Sequence, residues 1–389
     1  MVPRITVPDL RPIRAFLEEA HQRLVIEITQ VAGEIGQLPE PGDDAAARVE
    51  ARSFVGRLGA AGVFQPIRRQ DWRGCCLARE VLGFHSPLAD AVFALQGLGT
   101  LPILRVGTAE QKAKWADPAI AGRAMAAFAM TEPQAGSDIA SMATSAQRRG
   151  DEYVLNGTKT FISNAGIADF YTVFASTDPA AKGKGLSCFI VPADAPGFHF
   201  TGAQVLSAPH PLGEIQFRDC RVPAANRLGE EGGGMSIGLQ TLDRLRSTVG
   251  AAACGMGERA LTEALGHARA RQQFGKPLAE FQLIQEKLAR MGTDLTAARL
   301  LVYRAAWEAD RGAERVTLEA AMAKAFATEA AQRIVDDAVQ ILGGSGALAS
   351  HPVDRLYRSV RALRIYEGTT EIQHLVIAGK LLTRWDPVG

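Results

Sequence analysis

The sequence predicts an α+β protein built in three successive blocks, helical, then β, then helical. Three observations predict it. Residues 1–125 set apolar and charged positions at helical spacing, residues 126–228 hold short β-rich runs bounded by turn residues, and residues 229–389 return to helical spacing. A Rossmann-type chain would alternate strand and helix throughout, and an all-α chain would lack the middle block.

The first block opens with Ile13, Phe16 and Leu17, followed by Leu24, Ile26 and Ile28. Thr108-Ala109-Glu110-Gln111 fits a capping box, in which the Thr108 hydroxyl and the Gln111 side chain each satisfy one orphan amide at a helix start. In the second block, Tyr153-Val154-Leu155, Phe170–Phe174 and Cys188–Val191 read as strands of a small antiparallel barrel or sandwich. Asn156-Gly157 between two such runs predicts a hairpin turn, because both central residues of that turn need positive φ. In the third block Phe281, Ile284, Leu288, Met291, Leu295, Ala298, Val302 and Ala305 alternate spacings of three and four, as along a bundle helix. A second helix, marked by Met322, Phe326, Ala330 and Ile334, stops at Gly343-Gly344-Ser345-Gly346.

Composition narrows the function. The 389 residues are 47% apolar and 22% charged, ordinary for a globular protein that buries its core without staples. Lys plus Arg number 43 against 42 acidic residues, which argues against a general nucleic-acid binder. No uninterrupted apolar run approaches the ~18 residues of a membrane span. The start, Met1-Val2-Pro3-Arg4-Ile5, lacks the charged-then-apolar order of a secretory signal, so the expected location is cytoplasmic. Cys75, Cys76, Cys188, Cys220 and Cys254 form no CxxC pair and read as buried free thiols. The seven histidines show no ligand spacing, so no metal is expected. The chemistry is left to carboxylates and an organic cofactor.

Two segments carry that chemistry. Arg364-Ile365-Tyr366-Glu367-Gly368-Thr369-Thr370 sets a carboxylate before a glycine and two hydroxyls, and Thr131-Glu132-Pro133-Gln134-Ala135-Gly136-Ser137-Asp138 is a loop of glycine and hydroxyl residues. Alone, Glu367 would read as a solvated glutamate near a helix start, and the Thr131 loop as a strand end and turn that exposes amides to a phosphate. Together, in this order, they resemble the acyl-CoA dehydrogenase family over nearly the whole chain.

The resemblance implies an N-terminal helical domain at 1–125, a central β-domain at 126–228 and a C-terminal four-helix bundle at 229–389. It implies FAD as cofactor and an acyl-CoA thioester as substrate, with Glu367 abstracting the α-proton and the flavin N5 taking the β-hydride. A carboxylate near its ordinary pKa is a poor base for that step, and burial beside acyl chain and flavin is expected to raise it. For FAD the matching positions are Phe128, Ala129, Met130, Thr131, Gly136 and Ser137; Phe161, Ile162 and Ser163; Arg271, Gln273, Phe274, Phe281 and Gln282; Gln340, Gly343 and Gly344; and Thr369 and Glu371. For substrate they are Ser137, Asp243, Arg246, Tyr366 and Gly368. A minority branch places its base one residue before the Asp-x-x-Arg arginine; here that residue is Leu245, which takes no proton. The resemblance further implies an electron-transfer flavoprotein as acceptor and a homodimer or homotetramer.

The chain departs from the pattern at several places. Gln134 stands where the family usually has glycine, and Gly379 where many members carry an arginine that reaches CoA. Ser207–Gly213 is a short loop stiffened by Pro209 and Pro211 around His210. Asp90 lies near a carboxylate-binding arginine of glutaryl-CoA dehydrogenase, so glutaryl-type substrates are disfavoured. It reads as a surface aspartate, or alternatively as a second active-site carboxylate for a cyclic or unusual acyl group. Other readings of the chain are a same-fold enzyme acting on carrier-protein-bound acyl groups, a flavin oxidase or monooxygenase, and a non-enzymatic scaffold or DNA-associated protein.

Overall fold

The structure, a computed structural model, describes residues 8–384; the Met1–Ile5 start and the tail beyond Arg384 lie outside the described residues. Helices come first: α1 (Glu19–Ile35), α2 (Asp44–Ala60), α3 (Gln65–Arg69), α4 (Trp72–His85), α5 (Pro87–Val106), and the short turns α6 (Ala109–Gln111) and α7 (Asp117–Ile120). Eight strands follow: β1 (Ala126–Ala129), β2 (Ser145–Arg149), β3 (Glu152–Ser163), β4 (Phe170–Ser176), β5 (Leu186–Pro192), β6 (Phe198–Ala203), β7 (Leu212–Pro223) and β8 (Arg227–Leu228). The C-terminal part holds α8 (Gly234–Ala270), the small strands β9 (Gln272–Gln273) and β10 (Lys276–Pro277), then α9 (Gln282–Asp310), α10 (Thr317–Leu342), α11 (Pro352–Leu363) and α12 (Thr370–Arg384). By packing, the chain forms two compact units, Met1–Leu38 with Asp71–Asp90 and Asp243–Gly389, and Pro39–Gln70 with Ala91–Leu242.

In the helical unit α10 packs on α9, α11 and α12, and α4 packs on α1 and α9. The α9 stripe expected from the sequence is buried at Met291, Leu295, Ala298, Val302 and Ala305, but its N-terminal members Phe281, Ile284 and Leu288 are only half-buried. Of the positions expected on α1, Ile28 is buried, Leu24 is half-buried and Ile26 is exposed. Val25, Ile28, Val31, Ala32 and Ile35 face inward while Ile26 is 65% exposed, because Leu24, Ile26 and Ile28 step by two and a helix cannot bury all three. Helices α4 and α8 cross so closely that a Cβ on Gly255 would sit 2.0 Å from the Glu80 carbonyl. At that crossing Glu80 accepts from Arg299 and from Tyr303 at 2.6 Å each, and Arg299 also reaches Glu258. The charges are buried but paired, which is what makes their burial tolerable.

The sheet unit orders its strands β6-β7-β3-β2-β4-β5-β8, with β1 added on β4. Most pairs are antiparallel, as expected, but β1 runs parallel to β4, and β2 meets β4 in parallel at Ser145 and Ser176. The expected hairpin at Asn156-Gly157 is not a turn. Strand β3 continues through it with a register shift between Leu155 and Gly157, and Gly157, at φ 149°, leaves room for Thr144. The β2–β3 turn falls instead at Gly150, at φ 62°. Phe170, Phe174, Ile190 and Leu228 form its core with Met130 and with Ile103 of α5. Helix α5 has the length and hydropathy to cross a membrane, yet 72% of its most apolar stretch is buried by protein. The Thr108–Gln111 capping box forms as the sequence predicts, and all five cysteines are buried free thiols.

Candidate active site

Glu367 stands in the turn between α11 and α12, with φ 53°, a left-handed backbone unusual for any residue but glycine. Its neighbours hold it there. Gly368 has φ 93°, and a Cβ on it would come 2.3 Å from the Gln373 Nε2. The Gly368 carbonyl accepts from Lys324 Nζ at 2.7 Å and from Gln373 Nε2 at 3.0 Å. Glu329 Oε1 of α10 receives both Arg364 and Thr370, at 2.8 Å each, and the Thr369 hydroxyl caps α12 by accepting from the Ile372 amide. Among the described residues, the amides of Glu367, Gly368 and Thr369 meet no protein acceptor.

The carboxylate itself is half-buried and its Oε2 has no hydrogen-bond partner. Desolvation pushes its pKa up to about 7; the cations Arg79, Arg246 and Lys324 pull the other way, and Asp90 adds to the rise. Burial likewise brings Lys324 down to about 8, against the opposing pull of Glu367. Arg246 is buried beside Asp243 at 3.5 Å, and its Nε is also unpartnered. The structure thus brings Asp243, Arg246, Tyr366, Glu367 and Gly368 together.

Asp90 corrects the sequence reading. It is 1% exposed rather than at the surface, and its two oxygens accept from Arg79 Nε at 2.7 Å and Nη2 at 2.9 Å. Arg79 also donates to Thr248 at 3.1 Å. Because Arg79 neutralises Asp90, the expected repulsion of a dicarboxylic tail does not follow. Sequence reasoning missed Arg79, Lys324 and Gln373. The available signal was charge inside an apolar run, Arg79-Glu80 between Ala78 and Val81, and Lys324 between Ala323 and Ala325.

The remaining expected residues fall into two groups. In the sheet unit, Ala129, Met130 and Ile162 are buried in the strands' own packing, and Phe128 lies against Phe174 at 5.0 Å. Beside them Thr131 is half-buried, and Gly136 and Ser137 are exposed. Gln134 donates to Glu132, and Glu132 is held by Lys159 at 2.7 Å and by the Ala143 and Thr144 amides. Phe161 has φ 54° and is 62% exposed; its amide donates to Gln204 at 2.8 Å. The Ser163 hydroxyl shares a 2.7 Å hydrogen bond with His210 Nε2. Desolvation drives His210 down to about 4, so the half-buried ring is neutral. In the helical unit, Arg271 and Gln273 are exposed, and Phe274 at the β9–β10 turn is 92% exposed at φ 51°. Phe281 is half-buried beside it, Gln282 is exposed, and Glu371 is exposed on α12. Gln340, Gly343 and Gly344 are exposed where α10 ends, with Gly343 at φ 59°.

Family models for the middle domain and the C-terminal domain of acyl-CoA dehydrogenase match residues 127–220 and 232–382. The human mitochondrial short-chain specific acyl-CoA dehydrogenase is 45% identical over 96% of this chain and 86% of its own length. The chain belongs to the acyl-CoA dehydrogenase family. A 3-(aryl)acrylate reductase of Clostridium sporogenes is 46% identical over 92% of this chain and 94% of its own. The butyryl-CoA dehydrogenase structure from Megasphaera elsdenii superposes with a TM-score of 0.87 at 34% identity, covering 94% of this chain and 99% of that one.

As a member, the chain is an FAD-dependent oxidoreductase that dehydrogenates an acyl-CoA thioester. Its residues fit the cofactor. Phe161 is exposed with its backbone amide held by Gln204, and the Gly136 and Ser137 amides have no protein acceptor among the described residues. An exposed aromatic ring and open backbone amides suit a flavin, and Arg271 suits a pyrophosphate. By contrast, His21, Asp71 and Asp310 lie within 4.8 Å of one another, but they bond to each other's segments and to Arg73 and the Trp72 amide, a structural network.

Proposed function

We propose that Glu367 is the base that removes the α-proton of a short acyl-CoA, and that the amide row from Glu367 to Thr369 receives the thioester oxygen. One observation carries this reading. A carboxylate with an unpartnered oxygen, raised to about 7 by burial, stands next to backbone donors that no protein group uses. A base is most effective when its pKa lies near the working pH, and donors fixed in place stabilise the enolate-like charge as it forms. FAD, when bound, supplies the acceptor for the two electrons and the β-hydrogen. The protein's part is to hold Glu367 in its strained turn, keep the oxygen-binding amides open and exclude water.

A short chain is supported by the short-chain specific and butyryl-CoA relatives. The arylacrylate reductase at 46% identity favours, as a second reading, a three-carbon acyl group ending in an aromatic ring. An electron-transfer flavoprotein is the proposed acceptor. We further propose a homodimer or homotetramer, because Phe274 at 92% and Leu283 at 79% exposure are large apolar side chains left in solvent by one chain. Anaerobic titration with butyryl-CoA and 3-phenylpropanoyl-CoA tests the substrate. Bleaching of the flavin band by one names the class, and bleaching by neither contradicts the reading. Light scattering gives the mass in solution; a monomer would contradict the assembly.

A further inference from the structure

The carbonyl of Gly368 carries two side-chain donors, one from each of two helices. Lys324 Nζ of α10 donates at 2.7 Å and Gln373 Nε2 of α12 at 3.0 Å. A backbone carbonyl has two lone pairs, so this one is fully used. The Gln373 amide also reaches the Glu367 carbonyl, at a longer 3.4 Å. Both side chains are 0% exposed. The Oε1 end of Gln373 is left buried without a partner. A bare buried acceptor is unfavourable, so packing alone does not account for a glutamine here.

The direction of these bonds matters. In a trans peptide the carbonyl and the amide that follows it point to opposite sides, and the described peptides are all trans. Holding the carbonyls of Glu367 and Gly368 toward α10 and α12 therefore turns the amides of Gly368 and Thr369 the other way. Those two amides have no protein acceptor among the described residues. The backbone would not rest there unaided, because Glu367 has φ 53° and Gly368 φ 93°. Such conformations persist when the surroundings over-determine them. The same contact explains the glycine, since a Cβ on Gly368 would come 2.3 Å from Gln373 Nε2.

We propose that Gln373 and Lys324 are positioning residues for the reaction: together they clamp the Glu367–Thr369 turn by its carbonyls and so aim its free amides at the thioester oxygen. This rests on the reading of the amide row given above. Each side chain acts through the peptide it holds, not by contact with the acyl group. Loss of the clamp should therefore weaken the grip on the oxygen as charge develops there, more than it weakens binding of the acyl-CoA.

The test adds 2-butenoyl-CoA, the α,β-unsaturated product expected from butyryl-CoA, to the holoenzyme, with ¹³C at the thioester carbonyl. Isotope-edited infrared difference spectra read the carbonyl stretch, which falls as hydrogen bonds to its oxygen strengthen. In wild type the band should lie below that of free 2-butenoyl-CoA. Gln373→Met keeps the side-chain length and loses the donor, and should move the band back toward the free position. Its flavin reduction by butyryl-CoA should slow by about 10²-fold, with little change in the affinity for 2-butenoyl-CoA. Lys324→Met should move the band in the same direction. Because both donors hold one carbonyl, the double variant should lose less than the product of the two single losses. If Gln373→Met fails to load FAD, the band in Lys324→Met decides; loss of FAD by both variants would overturn the proposal in favour of a purely structural role. A band left at the wild-type position in the variants would also overturn it. A wild-type band at the free position would instead overturn the reading of the amide row, and the clamp with it.

Discussion

Lys324 donates to the carbonyl of Gly368 at 2.7 Å, so α10 holds the residue that directly follows the proposed base. The same ammonium lowers the proton affinity of Glu367. Lys324→Met removes a tether and a charge together. Its acid limb for flavin reduction should lie about one pH unit above wild type, measured by stopped-flow bleaching. A limb at the wild-type pH would show that Lys324 is only a tether.

The wild-type pH profile follows from Glu367 itself. The base works ionised, so flavin reduction should rise with pH through about 7 and level off above it. The sign for stability is the reverse. Folding raises this pKa from 4.5 to about 7, so the group's contribution is most favourable below 4.5 and is lost as pH rises to about 7. Denaturant unfolding between those values should show this slope in wild type and lack it in Glu367→Gln.

Gly368→Ala places a Cβ 2.3 Å from Gln373 Nε2 at a residue with φ 93°. Strain of this kind costs about 1–3 kcal/mol. A displacement near 1 Å at a reacting group costs about 10²-fold in rate. The variant should bind FAD, unfold at lower temperature and reduce its flavin about a hundredfold more slowly. Full-speed reduction would show that the turn tolerates a side chain.

Lys159→Met leaves Glu132 buried without its cation. Breaking such a pair costs about 3–5 kcal/mol, and Glu132 also holds the Ala143 and Thr144 amides of the segment that follows the Thr131 loop. Equilibrium unfolding should show that loss, along with weaker FAD retention. Lys159→Met/Glu132→Gln should recover part of it, because no bare charge remains.

The order of helical and β segments was legible because periodicity is local; so were the Thr108–Gln111 cap and the α10 stop at Gly343. Asn156-Gly157 misled for a physical reason. A glycine suits a turn and a bulge equally, and only the approach of Thr144, distant in structure type, selects the bulge. Glu367 and its glycine were legible as a motif, but its surroundings were not. Arg79, Asp90 and Lys324 meet it through helix packing, and no spacing along one helix encodes a meeting of four. Asp90 shows this best: an isolated aspartate near a helix start reads as surface, until Arg79, one position on the previous helix, buries it.

The most direct test is anaerobic addition of butyryl-CoA to wild type and to Glu367→Gln, each purified with FAD bound. The account predicts rapid bleaching of the wild-type flavin band. It predicts a variant with unchanged FAD content whose bleaching is slower by about 10²–10⁴-fold. Bleaching of the variant at the wild-type rate would contradict the assignment of Glu367 as the base.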